Sequence, residues 1–416
     1  MQTPAFPPPL NARLQSMDRY QAKAISLAAS NDPALLNLSV CEPAFGPPDA
    51  CLDGIEREDL SLAAFLDGAK RQEDSRGNPA LRQAIADWYA RRYGLAVDPE
   101  REILVTHGGI EAMTLAVLAT TEAGDRVALS DPALARYAQA VEVLGRRGER
   151  IARSLGGDEF AAAAALPDGV RALIVNSPEN PTGYVASATD WTVLGHEAAA
   201  RRCWVIHDER YDTMAFERPH RPAALEPALA PNAVLVNSLS KKFGLPGLRV
   251  GWLAAPAALI EQAAKAHDYL YLGVNPQYQR IAIRLLDRRH DSWLDDMAGM
   301  MAERAWIARQ TLTEELGFQW PRQPLGGMFL FPEVSRLYRS MPASYRTPGY
   351  SIGEAVARYL QESRGVATLP GAVYGERGAA SLRLALCGSQ QVFEAALDRL
   401  RSIRSQRWHG PWERAA

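Results

Sequence analysis

Several potentially reactive and anion-binding side chains lie close together in residues 238–251, SLSKKFGLPGLRVG. Ser238, Ser240 and Lys241 come first, and Arg249 follows the lysine by eight residues. Hydroxyl donors and a forked guanidinium are the groups that hold a phosphate dianion. The segment therefore combines a reactive amine with a potential phosphate site.

Lys241 has two possible roles. The run 233–236, AVLV, is short, apolar and partly β-branched, so it predicts a buried strand with Lys241 near its end. A lysine there is either a solvated surface charge or an amine that forms a Schiff base with an aldehyde cofactor. The neighbouring phosphate-binding residue types, with Gly244 and Gly247 for a tight backbone path, favour the Schiff base.

Length and composition limit the classes of protein. The chain has 416 residues, 47% of them hydrophobic, which allows a sizeable core and two or three domains. Its net charge of −2, with both signs interspersed, argues against nucleic acid or an anionic membrane as main partner. No apolar run reaches membrane-spanning length, and residues 1–10 form a Pro-rich arm without a signal-peptide pattern. We expect a soluble cytoplasmic protein.

The scarcity of lysine narrows the Schiff-base candidates. Of 46 basic residues only five are lysines, namely Lys23, Lys70, Lys241, Lys242 and Lys265. The four cysteines show no metal-ligand spacing, so we predict small buried residues and no metal site. They are Cys41, Cys51, Cys203 and Cys387.

Residues 238–251 resemble the pyridoxal-phosphate lysine signature of class I/II aminotransferases, which belong to fold-type I. The resemblance implies that Lys241 holds pyridoxal 5'-phosphate as a Schiff base and is the catalytic base. It also implies that Ser238, Ser240 and Arg249 bind the cofactor phosphate.

A second phosphate contact is predicted at a glycine turn. Residues 103–106 predict a strand, and residues 110–121 predict a helix. Gly108 and Gly109 lie between them, and a glycine turn that opens a helix presents free N–H groups to an anion. His107 is interpreted as structural.

Two further motifs resemble cofactor-holding elements of the family. Residues 176–183, NSPENPTG, resemble its N-P-x-N-P-T-G element, which implies that Asn180 bonds the phenolic oxygen of the cofactor and borders the substrate. Residues 208–211, DERY, resemble D-E-x-Y. Asp208 would then keep the pyridine nitrogen protonated, and Tyr211 would donate to the phenolic oxygen. Glu209 is interpreted as a structural or solvated acid.

Substrate-binding residues are predicted at both chain ends. The apolar run 381–386 predicts a strand, and Arg383 within it matches the family arginine that grips the substrate carboxylate through two hydrogen bonds. Residues 35–43 resemble the N-terminal segment that crosses the mouth of the site in relatives. Glu42 there is either a turn residue or a substrate contact.

Two positions depart from the family pattern. Gln72 replaces a tyrosine that in many relatives reaches the phosphate of the partner subunit. Leu134 replaces the aromatic residue that usually stacks on the pyridine ring, and Tyr137 is not an obvious substitute.

The predicted fold is α/β, with a three-layer α/β/α large domain around a mostly parallel seven-stranded sheet. A smaller α/β domain is built from both chain ends. We expect residues 1–48 to form the arm and part of the small domain, 49–285 the large domain, and 286–416 the small domain with a bridging helix. Relatives imply a homodimer. Further elements are helices over 14–29 and 80–93, strands over 127–132, 170–175, 204–207, 252–255 and 326–331, and helices within 256–316.

The predicted function is transfer of an amino group between an L-amino acid and a 2-keto acid. Gln72 and Leu134 keep an alternative open, in which an enzyme of the same fold diverts the carbanion to elimination, replacement, cyclisation or oxidation. A non-catalytic binding module is a third hypothesis. The sequence does not name the amino acid, since a second arginine for an acidic substrate cannot be chosen among 41.

Overall fold

The computed structural model describes residues 10–53, 61–70, 72–152 and 166–405. Most of the predicted Pro-rich arm, residues 1–9, lies outside these ranges. Of the helices described, none has both the length and the apolar character needed to cross a membrane.

The helices and strands of the described residues are as follows. The strands are β1 (Leu36–Asn37), β2 (Ile103–Thr106), β3 (Arg126–Asp131), β4 (Arg147–Ala152), β5 (Val170–Asn176), β6 (Trp204–Asp208), β7 (Ala233–Ser238), β8 (Gly251–Ala254), β9 (Phe329–Leu330), β10 (Val366–Ala367), β11 (Leu369–Pro370) and β12 (Leu382–Ala385). The helices are α1 (Ala12–Gln15), α2 (Gln21–Ser30), α3 (Leu62–Gly68), α4 (Pro79–Tyr93), α5 (Gly109–Thr120), α6 (Arg136–Val143), α7 (Ala188–Arg201), α8 (Leu239–Lys242), α9 (Ala257–Leu270), α10 (Pro276–Leu285), α11 (Asp291–Leu316), α12 (Ser335–Ser340), α13 (Ile352–Arg364) and α14 (Gln390–Ser405).

The large sheet has seven strands in the order β2-β8-β7-β6-β5-β3-β4. Strands β4, β3, β5, β6 and β7 are parallel, whereas β8 is antiparallel to both β7 and β2. The chain returns from β7 to β8 through residues 239–250 without a crossover helix, and neighbours joined in this way run antiparallel. The predicted mostly parallel seven-stranded sheet is confirmed.

Helices cover both faces of this sheet. Because successive strand side chains point to opposite faces, Ile103 and Val105 join one apolar cluster and Leu104 joins another. The first cluster contains Trp88 of α4, and the second contains Leu115 of α5. The molecule therefore has the predicted three layers.

A smaller unit contains residues from both ends of the chain. Strand β1 pairs in parallel with β10, and β11, β12 and β9 form a three-stranded sheet. Its apolar cluster joins Leu38 to Leu382 and Leu397. The N-terminal segment thus completes a core made mainly by the C-terminal third, as expected, while the boundaries at 48 and 285 stay predictions.

Most element predictions agree with the structure, but three differ. Residues 14–29 do not form one helix, because Ser16 Oγ donates to Arg13 O (2.9 Å) and the chain turns before α2. The strand expected over 326–331 is confined to β9, since the N–H groups of Gly326 and Gly327 donate to Gly183 and Met214. Strand β4 was not predicted, because its charged sequence RGERIA lacks the apolar pattern of a buried strand.

A buried ion pair between Lys242 of α8 and Asp212 anchors α8 to the protein interior. Lys242 Nζ lies 2.9 Å from Asp212 Oδ1 and 2.5 Å from Asn237 Oδ1, and both charged side chains are fully buried. Burial raises the pKa of Asp212, but the Lys242 charge outweighs it and the net pKa is lowered. Lys242 therefore points into the interior, and its neighbour Lys241 points elsewhere.

We predict that Lys242→Met lowers the free energy of unfolding by about 3–5 kcal/mol, because it leaves the buried Asp212 carboxylate without its cation. Urea unfolding, followed by tryptophan fluorescence, measures the change. Lys265→Met, at an exposed lysine of α9, is the matched control and should stay within about 0.5 kcal/mol of wild type. Equal stability of the two variants would contradict the prediction.

Candidate active site

One cavity of about 390 Å³ opens at the carboxyl-terminal edge of the large sheet. Parallel strands end at a common edge, so the segments that follow β2, β5, β6 and β7 meet there. These segments contribute Gly109, Asn180, Tyr211 and Lys241 to the lining. The opposite walls come from the N-terminal segment 20–42 and from Arg383 of β12.

Lys241 is a half-buried residue in the cavity lining, on the short helix α8 that begins directly after β7. Its Nζ donates a hydrogen bond to the Cys41 carbonyl, on the N-terminal segment. The adjacent Lys242 is anchored in the interior. The structure thus separates two lysines that are neighbours in sequence.

The predicted phosphate-binding residues meet around the glycine turn. A Cβ at Gly108 would lie 2.7 Å from the Arg249 guanidinium, so only glycine permits this approach. Arg249 donates to His107 O (2.9 Å). Burial, followed by repulsion from Arg136 and Arg210, lowers the pKa of Arg249. This end of the cavity therefore favours an anion.

The two predicted serines have different surroundings. Ser240 lines the cavity, whereas Ser238 is fully buried behind it at the end of β7. Ser238 Oγ has no hydrogen-bond partner within the described residues. Burying a hydroxyl without a hydrogen-bond partner costs free energy. A ligand atom that accepts a hydrogen bond from Ser238 Oγ would therefore be stabilising.

Asn180 and Tyr211 face each other across the cavity floor. Asn180 Nδ2 lies 3.4 Å from Tyr211 OH, and Asn176 Oδ1 holds the Asn180 backbone N–H at 2.8 Å. Asn180 Oδ1 has no partner in the described part of the chain. Burial, with a contribution from Cys41, keeps the pKa of Tyr211 well above its usual value, so its hydroxyl remains a donor.

Asp208 is fully buried at the end of β6. Tyr137 OH donates to its Oδ2 at 2.6 Å, which gives Tyr137 a role that sequence reasoning did not assign. Arg210 Nε contacts Oδ1 at 2.7 Å, and a second guanidinium nitrogen contacts Oδ2. We missed Arg210 because the D-E-x-Y pattern treats its position as unspecified.

Glu209 lies on the other side of β6 and is structural, since it is fully buried rather than solvated. Tyr89 donates to it, and His220 Nε2 lies 3.1 Å from its Oε2. His207 completes a group of potential metal ligands within 4.8 Å of one another. Its ring nitrogens already bond Ser177 O and the Ala223 N–H, so hydrogen bonds account for its orientation.

Arg383 is buried in the cavity wall at 2% exposure. One guanidinium nitrogen donates to Ser39 O, and the guanidinium carbon lies 4.2 Å from the centre of the Phe329 ring. Its Nε has no partner within the described ranges. The N-terminal segment, including Glu42, crosses the cavity as the resemblance implied.

The structure also places in the cavity lining residues that the sequence analysis did not assign to a site. Tyr20, Cys41 and Arg136 all line the cavity, and the Arg136 guanidinium lies 4.6 Å from the centre of the Tyr20 ring. Cys41 Sγ is 3.5 Å from Tyr211 OH. The expectation of a buried cysteine is confirmed for Cys203 and Cys387 but wrong for Cys41 and Cys51, which are partly exposed.

The two departures from the family pattern have different settings. Leu134 is buried and lines the cavity, so an aliphatic side chain occupies the position expected for an aromatic one. Gln72 is exposed.

The side chains around the cavity fit pyridoxal phosphate. Its phosphate would need donors and positive charge, which the glycine turn, Arg249 and Ser238 Oγ, a hydroxyl without a partner among the described residues, would supply. Its aldehyde needs an accessible amine, which Lys241 provides. Its phenolic oxygen needs donors, which Asn180 and Tyr211 provide.

Comparisons with known proteins agree with this chemistry. The family described as aminotransferase class I and II matches residues 33–400. Arginine–pyruvate transaminase AruH of Pseudomonas aeruginosa is 30% identical over 369 residues, covering 87% of this chain and 88% of the relative. LL-diaminopimelate aminotransferase of Desulforudis audaxviator is 28% identical over 401 residues, covering 95% of each.

A solved structure has the same fold. N-succinyldiaminopimelate aminotransferase from Mycobacterium tuberculosis superposes with a TM-score of 0.82 and 28% identity, covering 95% of this chain and all of the other. The match extends over both the large sheet and the smaller unit. This chain belongs to the class I and II aminotransferase family, and it is a pyridoxal-phosphate-dependent enzyme that transfers amino groups between amino acids and keto acids.

Proposed function

We propose that this aminotransferase uses Lys241 as its cofactor lysine and base, and acts on an L-amino acid whose side chain carries an anionic group. When bound, pyridoxal phosphate supplies the aldehyde that takes up the amino group and the ring that withdraws electrons from the α-carbon. The residues of this chain bind and orient the cofactor and the substrate, and they move the proton. The observation that carries the substrate proposal is the charge of the cavity lining.

Each predicted site residue has a proposed role that its position supports. Arg383 binds the α-carboxylate, because it is buried and retains an unpartnered Nε. Lys241, once free, removes the α-proton, since its amine lies in the same cavity. Asn180 and Tyr211 donate to the phenolic oxygen, and Asn180 also borders the substrate.

The phosphate and the ring nitrogen are assigned to the remaining residues. Ser238, Ser240, Arg249 and the N–H groups of Gly108 and Gly109 hold the phosphate. Asp208 faces the ring nitrogen. Its complete burial supports this role, because a carboxylate away from water retains its electrostatic effect.

The cavity lining carries far more positive than negative charge. Among the described residues, its only acid is Glu42, and its cations are Lys23, Arg136, Arg210, Lys241, Arg249 and Arg383. The phosphate balances Arg249, the α-carboxylate balances Arg383, and Asp208 balances Arg210. Arg136 forms no ion pair with an acid of the described residues and contacts the face of Tyr20. A substrate carboxylate beyond the α-carbon would balance Arg136.

The cofactor assignment is tested by attachment. Reduction of the holoenzyme with borohydride, followed by peptide mass spectrometry, should place the cofactor on Lys241 and leave Lys242 unmodified. Lys241→Ala should lose the absorbance of the bound cofactor near the visible edge and lose steady-state transamination. Lys265→Ala should retain both. Attachment at Lys242, or a retained rate in Lys241→Ala, would refute the assignment.

The substrate proposal is tested by comparing glutamate with glutamine as amino donors. Arg136→Gln should lower kcat/KM for glutamate about ten- to a hundredfold, because a hydrogen bond to a charged group contributes about 1.5–3 kcal/mol. The value for glutamine should change far less. Arg147→Gln, on the exposed edge of β4, is the control.

Equal losses for glutamate and glutamine would reject the side-chain role of Arg136 while leaving transamination intact. Stoichiometric conversion of the cofactor to pyridoxamine phosphate, without a keto acid, identifies transamination. Turnover to ammonia or another product without an acceptor would instead identify the alternative carbanion fates.

We also propose a homodimer. The end of α9 exposes consecutive apolar residues, with Tyr269 at 92% and Leu270 at 57% exposure. This patch is continuous with the phosphate end, since the rings of Tyr271 and His107 lie 6.2 Å apart. Exposed apolar patches of this kind mark association surfaces. The cytoplasmic location stays a prediction.

Analytical ultracentrifugation tests the dimer. Wild-type protein should sediment as a dimer at micromolar concentration, and Tyr269→Asp with Leu270→Asp should shift it towards monomer, because burying two carboxylates in an apolar interface is costly. Val193→Asp, at an exposed apolar position of α7, is the matched control. A monomeric wild type, or a double variant that remains dimeric, would contradict the proposal.

A further inference from the structure

Arg210 occupies a place between the cofactor residues that no assigned role explains. It lines the cavity, yet its guanidinium binds both oxygens of Asp208, with Nε at 2.7 Å from Oδ1 and 3.0 Å from Oδ2. The Arg210 side chain is 14% exposed, and that of Asp208 is fully buried. The proposed acid of the ring nitrogen is therefore held in a buried, two-pronged ion pair.

The glycine turn permits this pairing. A Cβ at Gly109 would lie 2.5 Å from Arg210 Cδ, so the arginine side chain lies directly against the backbone that opens α5. Although burial opposes its charge, the Asp208 carboxylate keeps the pKa of Arg210 well above its usual value. Arg210 is thus a permanent cation fixed beside Asp208 and the phosphate end.

The effect of Asp208 on the ring nitrogen depends on every group that contacts its carboxylate. Tyr137 donates to Oδ2 at 2.6 Å, and the Arg210 backbone N–H donates to Oδ1 at 3.2 Å. Burial holds the pKa of Tyr137 well above its usual value, so Tyr137 remains a neutral donor. The charged partner of Asp208 among these is Arg210.

A carboxylate that faces a ring nitrogen stabilises a proton on it, and a nearby cation opposes that proton. Arg210 is such a cation, and its charge offsets that of Asp208, so the pair attracts a ring proton less strongly than an unpaired carboxylate would. We propose that Arg210 is a positioning residue that, through Asp208, lowers the proton affinity of the cofactor's ring nitrogen. The inference rests on the proposed role of Asp208.

The consequence concerns how much the ring assists the chemistry. A ring that holds its proton less firmly withdraws electrons from the α-carbon less strongly. Proton removal then depends more on the placement of Lys241 and Arg383. The chain would thus reduce electron withdrawal by the cofactor ring through one arginine rather than through a different acid.

The test measures ring protonation directly. Wild type, Arg210→Met and Arg210→Lys are loaded with pyridoxal phosphate labelled with ¹⁵N in the ring, and the ¹⁵N chemical shift is followed from pH 6 to 10. Arg210→Met should move the titration of the ring nitrogen upward by about one pH unit or more. Arg210→Lys should remain closer to wild type, because it keeps the charge. Arg288→Met, at an exposed arginine, should not change the titration.

The variant Asp208→Asn distinguishes the proposed role of Arg210 from the proposed role of Asp208. If Asp208→Asn lowers ring protonation while Arg210→Met leaves the titration within about 0.3 pH units of wild type, the inference about Arg210 is overturned and the role of Asp208 stands. If Asp208→Asn has no effect on the ¹⁵N shift, Asp208 does not face the ring and both fail. If Arg210→Met does not fold, Arg210→Gln takes its place with the same criteria. An upward shift of about one pH unit or more supports the inference, and a titration within about 0.3 pH units of wild type, or a downward shift, overturns it.

Discussion

The active site depends on the common direction of β5, β6 and β7, because parallel strands deliver the segments that follow them to one edge of the sheet. Asn180, Asp208 and Lys241 are far apart in sequence, yet each follows or ends one of these strands. The buried ion pair of Lys242 and Asp212 anchors α8 to the protein interior. As a result, Lys241 rather than its neighbour faces the cavity.

Charge is the second organising feature of the site. In the part of the lining that the structure describes, cations outnumber the single acid, so the site favours anionic groups. The lowered pKa of Arg249, caused by burial and by neighbouring arginines, is one sign of this unbalanced field. In the proposed assignment, this field holds the cofactor phosphate and selects an acidic amino acid, with Arg136 as the cation for its side chain.

The cofactor residues are mutually constrained rather than independent. Gly109 has no side chain, so Arg210 can lie against the turn and reach Asp208. Tyr137 donates a hydrogen bond to the same carboxylate. Leu134 lines the same cavity in place of the aromatic residue of the family pattern. The proposed effect of Arg210 on ring protonation rests on its contacts with Asp208.

From local patterns alone, the sequence predicted six of the seven strands of the large sheet, the order of the motifs and a candidate cofactor lysine. Those features depend on local apolar patterns and on residue types at fixed spacing, such as Lys241 with Arg249. Only the tertiary structure revealed Tyr20, Cys41, Arg136 and Arg210 as cavity residues. Their positions depend on which distant segments pack together, and a single arginine among 41 carries no local signal. The split of helix 14–29 accompanies a local side-chain hydrogen bond from Ser16 to Arg13, whereas the polar strand β4 forms because it pairs with β3.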